Sequence, residues 1–144
     1  NGRYYQLNDA YIRPAAVQKP GPPLTIGAHK TRMLRICAEY ASAWNSSGSI
    51  EEMRERGEIL DSHCADLGRD PGEVRHGWYG WASKMEAQGL PDPWDSVEAF
   101  QDVVGQYHEA GVNEFIIDQP RPEQFEVLEK VAVDVIPKLR KQID

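Results

Sequence analysis

His29, Lys30, Arg32 and Arg35 fall within seven residues, and Thr31 adds a hydroxyl among them. They follow a Pro22-Pro23 break, a short apolar run at Leu24–Gly27 and the small residue Ala28. A strand that runs through a tight turn into a helix presents free backbone N–H groups and the positive end of the helix dipole. That arrangement holds phosphates and other anions. Cations at a helix N-terminus disfavour the helix itself, so this cluster makes best sense with an anion seated among its members. The same residues also read as a solvated basic turn beside a strand–helix junction.

Other reactive side chains form no catalytic set. His63 and His108 fall on helical stretches, and Glu51, Glu52 and Glu55 read as a solvated helix face. Cys37 and Cys64 fit no metal spacing and sit on apolar faces, which points to packing. Neither a metal centre nor a nucleophile-elbow pattern is present in the sequence, and no catalytic residue emerges.

Alternating strands and helices position the basic turn. The pattern predicts strands at Leu24–Gly27, Ala43–Asn45, Val74–Ala82 and Glu114–Asp118. Helices are predicted from Thr31 to Tyr40, from a capping box at Ser49–Glu52 to Gly68, from Ser96 to Gly111, and from Pro122 to Lys141. The second helix buries a stripe of Met53, Gly57, Leu60, Cys64 and Leu67, and the third one of Val97, Phe100, Val104 and Tyr107. Pro137 should kink or shorten the last helix. Residues 83–95 read as a long loop, interrupted by Gly89, Pro91 and Pro93. With no hairpin signal between strands, right-handed crossovers and parallel pairing follow. The organisation is one domain over 1–144, with an irregular lead-in at 1–21 and βα units over 22–144.

In such a fold ligands gather at the C-terminal ends of the strands. Besides the basic turn, that rule selects Asn45–Gly48, the aromatic strand His76–Trp81 and Asp118–Arg121. Asn45 offers a side-chain amide to a ligand, or the segment simply caps the helix after Ser49. His76 and Trp78 share one strand face, Tyr79 and Trp81 the other, and one of the two pairs points inward. Asp118 reads as an exposed turn carboxylate.

Of the 144 residues, 40% are hydrophobic and 27% charged, enough for one core. The net charge of −7 argues against nucleic-acid binding. No apolar run reaches the roughly 20 residues of a membrane helix, and no secretory signal is visible. A reducing, cytoplasmic setting is the default expectation.

Several segments, in order, resemble the luciferase-like monooxygenase superfamily: Gly2-Arg3-Tyr4-Tyr5 after Asn1, Val17-Gln18-Lys19-Pro20-Gly21-Pro22-Pro23, Ile26-Gly27-Ala28, and Ala38-Glu39-Tyr40-Ala41-Ser42-Ala43-Trp44-Asn45. Gly68-Arg69-Asp70-Pro71 and Ala110-Gly111-Val112-Asn113 continue the likeness. Two positions depart from the family pattern. Ala28 replaces a second glycine, keeping an amide but narrowing the backbone angles, and Ser42 replaces an aspartate.

The resemblance implies a (β/α)8 TIM barrel and a cofactor that is FMN or a deazaflavin (coenzyme F-420), the choice being undecided. A full barrel takes about 250 residues, so the resemblance implies its C-terminal half, with about four parallel strands alternating with helices. Such a half is a fragment, a proteolytic product or a half-length gene. By the same resemblance Gly27, Ala28, His29, Thr31 and Arg32 contact the cofactor phosphate; apart from the resemblance, Asn45 at its strand end can offer its amide to a ribityl hydroxyl or the substrate. The implied function is the C-terminal portion of a flavin- or deazaflavin-dependent oxidoreductase or monooxygenase acting on a small molecule, inactive alone. The alternative is a non-catalytic half-barrel that binds a phosphate ligand or self-associates. Open sheet edges lead to the expectation of a homodimer or of pairing with a second half-barrel.

Overall fold

A computed structural model describes residues 2–143; Asn1, the first residue of the motif above, lies outside them. Residues 2–24 form neither helix nor strand, and Tyr4, Tyr5, Leu7, Tyr11, Ile12 and Val17 along them are all exposed. The regular structure starts at β1 (Thr25–Gly27) and α1 (Thr31–Tyr40), followed by β2 (Ala43–Ser46) and α2 (Ile50–Asp66). Next come β3 (Arg75–Gly80), α3 (Ala82–Ala87), α4 (Val97–Glu109) and β4 (Glu114–Ile117). The chain closes with α5 (Phe125–Lys130) and α6 (Ile136–Ile143), joined by a π-helical stretch at Val131–Val135.

The four strands form one parallel sheet in the order β1-β2-β3-β4. Its register aligns Ile26 with Trp44 and His76, and Ser46 with Trp78 and Phe115. These residues face the helices. Trp44 and Trp78 are fully buried in a core with Leu34, Cys37, Met53, Leu60, Cys64 and Tyr107. The Trp78 ring stacks on Tyr107 at 3.9 Å, which explains the glycine at position 80: a Cβ there would lie 2.5 Å from the Trp78 ring. Burial of each such side chain contributes on the order of 2–3 kcal/mol. A second core cluster of Trp94, Phe100, Val104, Val131 and Val135 seats α4 against the C-terminal helices.

By strand alternation the opposite face carries Thr25, Gly27, Asn45, Arg75, Gly77, Tyr79, Glu114 and Ile116. Among the described residues no helix covers it, and Ile116 is 43% exposed. The two faces of the aromatic strand are thereby resolved: His76 and Trp78 pack on helices, and Tyr79 stands on the open face. The order, the parallel pairing and the alternation are those of four consecutive βα units of an α/β barrel.

Local chemistry accounts for the joints. Ser49 and Glu52 close the expected capping box on α2, with Ser49 Oγ accepting from the Glu52 N–H at 3.2 Å and Glu52 Oε2 accepting from the Ser49 N–H at 2.9 Å. Gly68 ends α2 at φ +67°, a left-handed angle that favours glycine. Leu67, expected in the buried stripe, is 40% exposed because it caps the helix rather than facing the core. Arg69 then reaches back to α1, its Nη1 donating to Ala38 O at 2.9 Å and its Nη2 to Ala41 O at 2.8 Å.

Two sequence expectations are corrected. Residues 83–95 are not all loop, because Ala82–Ala87 form α3. Those residues are good helix formers, and the breakers act only from Gly89 onward. The cap of α3 comes from far away, as Asp118 Oδ2 accepts the Ala82 N–H at 2.9 Å. Asp118 is therefore no bare turn carboxylate, and its Oδ1 also accepts the Tyr79 hydroxyl at 3.3 Å. The last helix runs on past Pro137, but not as one regular α-helix. Proline has no N–H to give, and the chain widens into π geometry just before it, where the Ile136 N–H bonds Val131 O.

Candidate functional site

The C-terminal ends of β1, β2 and β3 open onto a cavity of about 430 Å³. Gly27 and His29 line it from β1 and its turn, and Asn45, Ser46 and Ser47 from the end of β2. Tyr79 and Trp81 form an aromatic wall, and Ser83 and Lys84 reach in from the start of α3. None of these lining residues is a carboxylate, in a chain whose net charge is −7.

The polar groups there are hydrogen-bond donors in the main. Ser46 Oγ lies 2.9 Å from His29 Nδ1, and Arg56 Nη1 on α2 lies 3.3 Å from that same hydroxyl. Lys84 Nζ donates to Ser47 Oγ at 3.1 Å, which leaves the Ser47 hydroxyl proton and the remaining ammonium protons for a ligand. Asn45 Nδ2 is buried and has no hydrogen-bond partner among the described residues. An unpaired buried donor is costly, so a ligand oxygen at this amide would be stabilising. Partial burial, then the Arg56 and Lys84 cations, hold the His29 imidazole below its ordinary pKa. Burial first, and then Asp118, push the Tyr79 phenol above its own.

Of the residues singled out from sequence, the structure brings Gly27, His29 and Asn45 together in one wall. Ala28 is buried at 2% exposure, its N–H bonded to Asn45 O at 3.1 Å and its carbonyl accepting the Trp44 indole N–H at 2.8 Å. Its amide thus ties β1 to β2. Thr31 and Arg32 lie on the exposed first turn of α1, outside the cavity lining. That turn begins at Lys30 with no side-chain cap. Ser46 and Ser47 belong to the Asn45–Gly48 segment selected from sequence, whereas sequence reasoning missed Lys84 and, behind the wall, Arg56. The capping signal at Ser49 marked where β2 hands over to α2, but α3 was hidden and Lys84 with it.

A larger groove of about 680 Å³ runs along α3 and residues 89–95. Its floor is tied together by Arg121 Nη1 to Asp92 Oδ2 at 2.9 Å and by Gln124 Nε2 to Asp92 and Asp95 at 3.1 and 3.0 Å. These contacts anchor the α3–α4 connection to the loop after β4. Among the described residues no cluster of acidic, cysteine or histidine side chains is arranged to hold a metal, and no helix is long and apolar enough to cross a membrane.

None of the curated proteins matches the chain. Among solved structures, it is similar to the coenzyme F-420-dependent tetrahydromethanopterin reductase from Methanopyrus kandleri, with a TM-score of 0.72 at 14% identity. That match covers 96% of this chain and 57% of that one. It is also similar to an F-420-dependent secondary alcohol dehydrogenase solved with an F-420-acetone adduct, with a TM-score of 0.70 at 11% identity. There the match covers 91% of this chain and 53% of that one, so the chain spans little more than half the length of either structure. At such identities the likeness is one of fold, the α/β barrel. The family model for luciferase-like monooxygenases matches residues 1–83, more than half of the 144. The chain belongs to the luciferase-like monooxygenase family.

Proposed function

We propose that this chain forms the part of a flavin- or deazaflavin-dependent oxidoreductase that receives the anionic end of the cofactor. The observation that carries this reading is the donor-rich, carboxylate-free cavity at the strand ends, with its buried and unpaired Asn45 amide. His29, Ser47, Lys84 and Asn45 supply the donors, while Gly27 lets the ligand approach the β1 backbone closely. Ala28 serves by fixing the turn to β2, and Thr31 and Arg32 flank the mouth. Tyr79 and Trp81, with ring centroids 4.5 Å apart, offer an apolar wall for the less polar part of the ligand. When bound, the flavin or deazaflavin ring supplies the redox chemistry, and the protein supplies position and electrostatics.

No acid, base or nucleophile constellation accompanies the cavity among the described residues. The reading therefore assigns this chain binding and orientation, with the substrate end of the site contributed by whatever covers the open sheet face. A homodimer or a second half-barrel fills that role, in a reducing, cytoplasmic setting that suits two free, buried cysteines.

The test is a fluorescence titration of the purified chain with FMN and with coenzyme F-420, each repeated in excess inorganic phosphate. Saturable binding that phosphate displaces, and that weakens in Lys84→Met, is the expected result. Binding of inorganic phosphate with no preference for either cofactor would replace the reading with a plain phosphate-binding half-barrel. Binding of neither would overturn the anion site.

A further inference from the structure

Behind the cavity wall, one arginine touches nearly every group that sets the wall's protons. Arg56 Nη2 is held by Glu52 Oε1 at 2.9 Å, the same carboxylate whose other oxygen closes the α2 capping box. Arg56 Nη1 donates to Ser47 O at 2.8 Å and to Ser46 Oγ at 3.3 Å, and lies 3.4 Å from His29 Nδ1. The side chain is only 17% exposed. The preceding loop makes room for this packing: a Cβ on Gly48 would lie 2.6 Å from Glu52 Oε2 and 2.8 Å from Arg56 Nη1.

This geometry dictates where protons go. A guanidinium nitrogen only donates, so a proton on His29 Nδ1 would face Arg56 donor against donor. Ser46 Oγ accepts from Arg56, which leaves its own hydroxyl proton free to be donated to His29 Nδ1, 2.9 Å away. Nδ1 is thus an acceptor, and the proton of the neutral imidazole sits on Nε2. The charged groups around His29 favour the neutral ring on balance: Lys30 beside it, Arg56 from α2 and Lys84 from α3 oppose a further positive charge, and Glu52 alone supports one.

We propose that Arg56, anchored by Glu52, fixes His29 in the Nε2–H tautomer and so makes its imidazole a neutral hydrogen-bond donor to the anionic group that the cavity takes. The inference rests on the cavity being an anion site, as proposed above. It makes Arg56 a positioning residue that acts through His29 and Ser46, and Glu52 the residue that aims it.

The experiment is long-range ¹H–¹⁵N NMR of the histidine side chains in the full chain at pH 7.5, without ligand and then with inorganic phosphate. His29 is assigned by its loss in His29→Gln. The expected native spectrum has His29 Nδ1 unprotonated and Nε2 protonated. In Arg56→Met the two nitrogens should shift toward a tautomer mixture, and phosphate should bind about tenfold more weakly. Glu52→Gln keeps a capping-box residue and should shift the His29 nitrogens in the same direction, which protects the test should Arg56→Met fold poorly. Arg56→Lys restores charge without the fork, so it should recover phosphate affinity more than it recovers the tautomer. A native His29 protonated on Nδ1, or a tautomer unmoved in both Arg56→Met and Glu52→Gln, overturns the proposal. So does a changed tautomer with unchanged phosphate affinity. If native chain fails to bind phosphate, the anion reading falls and takes the donor role with it, while the ligand-free spectrum still decides the tautomer.

Discussion

Replacing Arg69 with Met should destabilise the chain by about 2–4 kcal/mol while leaving the cavity's chemistry alone. Arg69 lies in the Gly68-Arg69-Asp70-Pro71 turn, where its guanidinium donates to Ala38 O at 2.9 Å and Ala41 O at 2.8 Å. Ala38 and Ala41 are fully buried, so these carbonyls at the C-terminal end of α1 have little access to water. A hydrogen bond from a charged donor contributes roughly 1.5–3 kcal/mol when its acceptor would otherwise be buried unpaired. Two of them give roughly 3–6 kcal/mol, and partial exposure of the Arg69 side chain (22%) lowers that toward 2–4 kcal/mol. The third contact, Nε to Glu73 Oε2 at 3.1 Å, is largely solvated and adds little. The cation also meets the negative end of the α1 dipole. For a domain of this size each kcal/mol shifts Tm by about 2–4 °C, so the variant should melt roughly 4–16 °C lower. Urea and thermal unfolding of Arg69→Met, with Arg69→Lys recovering less than half because an ammonium cannot fork, is the assay. A loss under about 0.5 kcal/mol, or a normal Tm with altered phosphate affinity, would refute the structural role.

Three further outcomes follow from titratable groups elsewhere in the fold. Burial holds the His76 pKa below the ordinary histidine value of about 6.5 although Asp61 Oδ1, 3.2 Å from Nε2, pulls the other way. The unfolded chain therefore takes a proton that the native one refuses, and stability falls as pH drops below about 6.5, levelling off once the folded pKa is passed. Asp61→Asn should deepen that fall, and a pH series of urea denaturations checks it. Asp118→Ala removes both the Ala82 N–H acceptor and the charge beside Tyr79, costing about 1 kcal/mol by analogy with other helix caps. Ultraviolet titration should then find the Tyr79 phenol ionising at lower pH; an unchanged curve would dissociate the pair. The Cys37 thiol, buried and pushed up to about 11, should react with an aromatic disulfide reagent only as fast as the chain opens, so its modification rate should rise with urea.

What sequence made legible was whatever short-range chemistry specifies. α1 runs over the expected Thr31–Tyr40, Ser49 and Glu52 close the expected box, and Gly68 and Gly111 sit at positive φ just past their helices. Each of those signals lies within a few residues of the structure it sets. What stayed hidden depends on partners far along the chain. α3 is capped by Asp118, and without α3 there is no Lys84 in the cavity. Arg56 and Glu52 look like an ordinary solvated i,i+4 pair until the β2–α2 loop folds over them. The basic cluster was read as one unit, yet the fold splits it, sending His29 into the cavity wall and leaving Thr31 and Arg32 outside.

The cavity borders a sheet face that the described helices leave open. A parallel sheet is stable when both faces are covered, and here the helices cover only one. The bare face is not a core surface awaiting hydrophobic packing, because it pairs Arg75 with Glu114 at 3.6 Å and carries Thr25, Asn45 and Tyr79 alongside Ile116. Burying that row against water-excluding neighbours strengthens its hydrogen bonds and charges together, since interactions between polar groups grow as the local dielectric falls. The cavity shares that face through Gly27, Asn45 and Tyr79. On the reading proposed above, closure of the sheet and tightening of the anion site are one event, so a layer that completes the barrel should bind more firmly when phosphate occupies the cavity than when it does not.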